Sequence, residues 1–173
     1  MFYKAKSDYI RSNKNKKTLI IFFIYRLGNY LYYSNINKYL KKVLLIIMKI
    51  FQFILVELPY GIEIPFEAKI GKGLRLVHLN GIVIHPNVEI GDNCIIYHQV
   101  TIGANEHKNS YNKVAKIGDE CYIGAGAKIL GDIVIGDKCK IGANAVLSKN
   151  LASGHTVIGI NEIRFNKSER NNI

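Results

Sequence analysis

The sequence predicts a mainly β protein, a parallel β-helix of six-residue repeats behind a short helical N-terminal segment. Two observations carry this. After Pro59 aliphatic residues recur every six positions, and before it they recur at helical spacing. A third observation bears on partners: of the formal charge of +11, residues 1–60 hold 11 Lys or Arg against Asp8 and Glu57, while residues 61–173 hold 13 against 11. At 173 residues the chain suits one buried domain with a small appendage. The expected division is a basic, apolar helical segment over 1–58, a β-helix over 59–160 and a polar, frayed tail over 161–173.

In the first segment apolar residues keep helical spacing from about 16 to 57, with Gly28 and "YSNIN" marking a break between two helices and Pro59 closing the second. "TLIIFFIYRLGNYLYY" and "VLLIIMKIFQFILVEL" are bulky and apolar, and lysines precede them in "NKNKK" and "KYLKK". Nucleic-acid binders more often interleave charge with aromatics, so no nucleic acid is expected. A membrane surface or a subunit contact fits better. Arg26 ends the first apolar run, and Lys49 and Gln52 interrupt the second, so neither reads as a transmembrane helix. A helix lying on the membrane surface stays open. The apolar region starts late and lacks a small-residue cleavage site, which points to the cytoplasm.

The second segment beats at Ile64, Ile70 and Leu76, then Ile84, Ile90, Ile96 and Ile102, then Ile117, Ile123, Ile129, Ile135, Ile141 and Leu147. A small or aliphatic residue stands two positions before nearly every beat. Side chains at i and i−2 point the same way from a strand, and the Gly that follows most beats, as in "IGD" and "IGA", suits a tight corner. Stacked coils of this kind bury a continuous aliphatic core. Cys94, Cys121 and Cys139 all fall at the i−2 position and match no metal-ligand spacing, so they read as reduced, buried thiols.

The beat breaks twice. Leu76 to Ile84 is eight residues, so two extra enter at "VHLN"; Ile102 to Ile117 is fifteen, read as two steps plus three extra in "ANEHKNSYNKVA". Insertions in a solenoid emerge as loops, and loops on a rigid scaffold are where chemistry is placed. His78 lies in the first and His107 in the second. His98 has a lesser reading as a groove residue, and no histidine pair has the close spacing of a zinc site, so no metal is expected.

The stretches "KIGKGLRLVHLNGIVI", "VTIG", "KIGDECYIGAGAKILGDIVIGDKCKIGANAVL" and "TVIG", between Gly61 and Gly159, resemble the hexapeptide-repeat acyltransferases, in particular their serine acetyltransferase branch. The resemblance implies a left-handed β-helix with three hexapeptides per coil. It implies a homotrimer, or a dimer of trimers, with acetyl-CoA in the groove between subunits. By that resemblance His78 is the general base and Glu63, fifteen positions earlier where the family usually has Asp, supports it. With eighteen residues per coil, positions fifteen apart lie on adjacent coils near one corner, where a carboxylate can orient an imidazole. Gly103, Ala104, Ala125, Gly126 and Ala143 match the small groove residues along which the pantetheine arm runs. Lys140, and less clearly Lys149, match positions facing the cofactor phosphates.

The chain also departs from that branch. Val77 stands where an Asp precedes the catalytic His, and Lys113 and Val114 stand where an Arg-His pair is expected. These groups would read the ammonium and carboxylate of serine. The "GIVI" and "VTIG" stretches and the short basic, apolar N-terminus also resemble a related set of smaller sugar acetyltransferases of bacterial surface polysaccharide synthesis, and that resemblance implies a sugar acceptor, small or lipid-linked, met at the inner membrane face. Serine O-acetylation for cysteine biosynthesis is the alternative, and a non-catalytic β-helix scaffold at the membrane is the alternative of another class.

Overall fold

The computed structural model describes residues 2–105, 112–160 and 162–165, and within them the six-residue beat becomes a left-handed parallel β-helix. Three parallel faces form its prism. The first holds β1 (Lys69–Ile70), β4 (Glu89–Ile90), β7 (Lys116–Ile117) and β10 (Val134–Ile135). The second holds β2 (Arg75–Val77), β5 (Ile95–Tyr97), β8 (Tyr122–Ile123), β11 (Lys140–Ile141) and β13 (His155–Ile158), and the third β3 (Val83–Ile84), β6 (Thr101–Gly103), β9 (Lys128–Leu130) and β12 (Val146–Leu147). Register keeps the beat in columns: Leu76, Ile96, Ile123, Ile141 and Val157 stack on the second face, all buried.

The three cysteines form one buried column. Each thiol donates to a carbonyl of the following coil, Cys94 to Gly118 O at 3.2 Å, Cys121 to Gly136 O at 3.1 Å and Cys139 to Ala152 O at 3.1 Å.

The glycine after the beat has a different reason from the one expected. Gly71, Gly91, Gly118 and Gly136 do not take a positive φ. They sit where one coil rests on the next, and a Cβ on Gly91 would lie 2.2 Å from Asp119 Oδ1 and 2.7 Å from Gly118 backbone. The Asp of "IGD" explains the closeness. Asp92 Oδ1 accepts the Lys72 N–H at 2.8 Å, Asp119 the Asp92 N–H at 2.7 Å, and Asp137 the Asp119 N–H at 2.8 Å; Ser153 Oγ accepts the Asp137 N–H at 2.9 Å. The left-handed turn falls two residues later, at Asn93, Glu120 and Lys138.

Pairing also corrects the second insertion. Ile90 pairs with Ile117, so β7 is the next strand after β6 and the fifteen-residue interval is one step of six plus nine extra residues, where three were expected. No beat is skipped there. Most of that loop, including His107, lies outside the described residues.

The N-terminal segment differs from expectation in three ways. A helix α1 (Phe2–Arg11) precedes the two anticipated. Helix α2 (Lys16–Tyr33) runs through Gly28, and the break falls at residues 34–37. Gly28 is there for space, since a Cβ would lie 2.4 Å from the Phe66 ring. Helix α3 (Lys38–Gln52) continues through a π turn (Phe53–Glu57) into a last helical turn, α4 (Leu58–Tyr60). The whole stretch Lys38–Tyr60 is 23 residues, long and apolar enough to cross a membrane by length and composition. Gln52 does not interrupt it because its side chain turns inward and donates to Ile64 O at 3.0 Å.

These helices close the first coil. Tyr25 Oη donates to Ala68 O at 2.7 Å, Asn29 Nδ2 to Phe66 O at 2.7 Å, and Arg26 Nη1 to Ile70 O at 2.6 Å. Arg26 also pairs with buried Asp8 of α1, Nε to Oδ2 at 2.9 Å, and Asp8 Oδ1 accepts the Leu74 N–H at 2.9 Å. One carboxylate thus joins two helices to the first coil. At the other end β14 (Glu162–Phe165) pairs antiparallel with β13, so the start of the stretch expected to be a frayed tail is a strand. The rest of that tail, 166–173, lies outside the described residues.

Candidate active site

Strand register identifies the two inserted residues. Val77 pairs with Tyr97, which His98 follows directly, yet it is Asn80 whose carbonyl stands in line with that of His98. Gln99 N–H bonds to Asn80 O at 2.8 Å, Gly126 N–H to His98 O at 2.9 Å, and Asn144 N–H to Ala125 O at 2.7 Å. His78 and Leu79 are therefore the added pair. Leu79 packs against the core, and His78, at a left-handed φ of 54°, is held exposed at the corner. An apolar peg beside a turned-out imidazole fixes where the ring stands. That ring meets His98 edge-on at 5.5 Å and Tyr97 at 6.2 Å, and Tyr97 in turn meets Tyr122 at 5.2 Å.

The same corner forms a column of Asn80, His98, Ala125 and Ala143, each followed by a residue with positive φ: Gly81, Gln99, Gly126 and Asn144. Below His98 the column itself carries only the small side chains of Ala125 and Ala143 among the described residues, leaving the backbone open to an extended ligand. Gly126 is doubly constrained, by a φ of 72° and by Asn144 Oδ1, 2.1 Å from where a Cβ would be. Of the sequence-predicted groove residues, Ala125, Gly126 and Ala143 come together with His78. Gly103 ends β6 and Ala104 follows it, across the third face, although a Cβ on Gly103 would meet nothing within 4 Å. Lys140 projects from the second face in line with Tyr122 and Thr156, and Lys149 is exposed after β12.

Glu63 stands one coil before the insertion, bridged to Val83, its N–H on Ile82 O at 2.8 Å and its carbonyl taking the Ile84 N–H at 2.9 Å. Among the described residues no hydrogen bond joins its carboxylate to His78. Burial, and after it the charge of Glu63, lifts the neighbouring Glu57 carboxyl above its usual range. Two carboxylates therefore share this end of the prism.

On its other side His78 borders a cavity of about 370 Å³ lined also by Ser12, Asn13, Asn15, Arg75 and Val77. The wall comes from the turn between α1 and α2. Asn13 and Lys14 take left-handed φ, and Asn15 caps α2 by accepting the Lys17 N–H at 2.9 Å. Ser12 is 7% exposed, and among the described residues its Oγ has no hydrogen-bond partner. His98 Nδ1 is likewise buried without one. Neither the turn nor Arg75 was anticipated as part of the site. The Asn15 cap ahead of an apolar run was the signal available for the turn. His85 and His155 lie away from this corner, and among the described residues no three His, Cys, Asp or Glu side chains gather as for a metal ion.

Fold and sequence agree on the class. Residues 115–149 match the family model described as bacterial transferase hexapeptide (six repeats), and the fold around them is a left-handed β-helix. Within that class its likeness is to serine acetyltransferases. It is 48% identical over 99 residues to the serine acetyltransferase of Helicobacter pylori, covering 57% of each chain. It is 49% identical over 100 residues to the chloroplastic serine acetyltransferase 1 of Arabidopsis thaliana, covering 58% of this chain and 32% of that one. The solved soybean serine acetyltransferase apoenzyme superposes with a TM-score of 0.77 at 28% identity, over 94% of this chain and 67% of the other. The matched stretch thus spans from about a third to just over half of these curated relatives.

Proposed function

We propose that this chain is an acetyl-CoA-dependent O-acetyltransferase with His78 as its general base. The observation that carries the reading is the placement of His78. A two-residue insertion turns it outward between an open column of alanines and glycine and a polar cavity, a place for a thioester arm on one side and an acceptor hydroxyl on the other. His78 takes the hydroxyl proton as the oxygen attacks the thioester carbonyl. The tetrahedral adduct then collapses, the C–S bond breaks, and the imidazolium returns the proton to the departing sulfur, leaving an O-acetyl ester and free CoA. A positioned base of this kind contributes about 10²–10⁴ in rate. Glu63, one coil below, orients the ring once the groove closes in a homotrimer, and Ala125, Gly126, Ala143 and Lys140 line the cofactor's path, with Gly103 and Ala104 across the face.

The relatives support L-serine as acceptor, since those reported above bear that name; none of them supports a sugar. This reverses the preference drawn from the sequence. The sugar reading keeps one specific observation, Val77, Lys113 and Val114 at positions where serine-reading groups were expected. In the serine reading Arg75, which lines the cavity, pairs with the carboxylate.

Free-thiol release from acetyl-CoA, measured with L-serine and with a panel of sugars, tests both levels. His78→Ala is expected to lose about 10²–10⁴ in kcat. No CoA release with any acceptor would return the chain to the scaffold reading, and turnover with sugars alone would return the acceptor to a saccharide.

A further inference from the structure

We infer that the outward face of α3 is a docking surface for an anionic phospholipid bilayer, on which the helix lies in the membrane plane. One stripe of the helix, Met48, Gln52 and Val56, is buried against α2 and the first coil. The opposite side is apolar and exposed along its whole length: Leu40 54%, Val43 54%, Ile47 43%, Ile50 54%, Ile54 51% and Leu58 70%. A contiguous apolar face of this kind marks an interaction site.

Charge identifies the occupant. Residues 1–60 carry 11 Lys or Arg and two acids, one of which, Asp8, is buried on Arg26. Lys38, Lys42 and Lys49 fall between the buried stripe and the apolar face, where headgroup phosphates would meet them. Tyr39, 80% exposed at the start of the helix, adds an amphipathic ring suited to the interface. Although Lys38–Tyr60 is long enough to span, its buried stripe is fixed to polar protein through Gln52, so the helix cannot be surrounded by lipid. Docking sets the first coil, and with it His78 and the acceptor cavity, beside the bilayer.

The test is sedimentation of the full chain with vesicles of phosphatidylcholine plus phosphatidylglycerol and of phosphatidylcholine alone, at low and high salt. Binding to the anionic vesicles that weakens with salt is expected. Lys38→Gln, Lys42→Gln and Lys49→Gln should each lower partitioning about fivefold. Ile47→Asp with Ile54→Asp, both at exposed positions, should lower it more than about tenfold with the circular dichroism of the parent retained. The inference is overturned if the parent stays in the supernatant with anionic vesicles or the Asp variant binds as well as the parent. It is equally overturned if that variant has a smaller assembly mass than the parent without lipid, because a second copy would then cover the face. Acetyl transfer to a soluble acceptor, assayed without vesicles, is independent of all these outcomes.

Discussion

Replacing Asp8 by alanine isolates the contact that joins α1 and α2 to the first coil. The carboxylate is fully buried, Arg26 is 3% exposed, and three N–H groups converge on Asp8: Arg26 Nε at 2.9 Å, Arg26 Nη2 at 3.2 Å and Leu74 N at 2.9 Å. Asp8→Ala strands a guanidinium in the interior, a loss of about 3–5 kcal/mol. Arg26 keeps its bonds to the Ile70 and Gly71 carbonyls, which places the expected cost near 3 kcal/mol. Burial pushes the Asp8 carboxyl above its ordinary 3.8 although Arg26 opposes the shift, so desolvation outweighs attraction in this pair. The double variant Asp8→Leu, Arg26→Met should accordingly be close to neutral. Urea unfolding followed by circular dichroism measures both. Because α1 leads into the turn that walls the His78 cavity, Asp8→Ala should also raise the acceptor KM more than it lowers kcat. A single-variant cost below about 1 kcal/mol, or a double variant as unstable as the single, would refute the reasoning.

Two more outcomes follow from particular residues. Lys138 holds a left-handed φ of 56° that strains an L side chain, so Lys138→Gly should raise unfolding stability by about 1 kcal/mol in the same urea assay. Burial lowers the His85 pKa from its ordinary 6.5. Its contribution to stability is therefore complete above pH 6.5 and fades as pH falls through the lowered value; an NMR titration should find the ring protonating below 6.5, and His85→Gln should flatten the acid limb of the stability profile.

The coil was legible because each beat residue does one job in every turn of the stack: Ile96, Ile123 and Ile141 repeat one environment at a fixed interval. Where jobs differ, legibility failed. The long interval before Ile117 could be divided in two ways, and only the pairing of Ile90 with Ile117 chose nine extra residues over three. Gly28 read as a break because a glycine inside a helix looks the same whether it ends the helix or makes room for Phe66. Helix α1 was missed because its docking rests on the polar Asp8 and the small Ala5, so its short apolar pattern carries no bulky buried residue. His78 was singled out through the interrupted beat, and the strand register puts it within that interruption. Leu79, which shares the interruption and pegs the turn, gave no signal of its own, and Ser12 reaches the cavity only through tertiary contact, while Arg75 lies on the strand that runs into the insertion.

Stacked parallel coils have no built-in stop, since each exposed rung presents the hydrogen-bonding groups that would template another. Here the Tyr25, Asn29, Arg26 and Gln52 side chains occupy carbonyls at one end, and β14 lies against β13 in the opposite direction at the other. An incoming parallel strand finds neither end vacant on those groups, which keeps the solenoid from growing into a fibre through the same ladder that builds it.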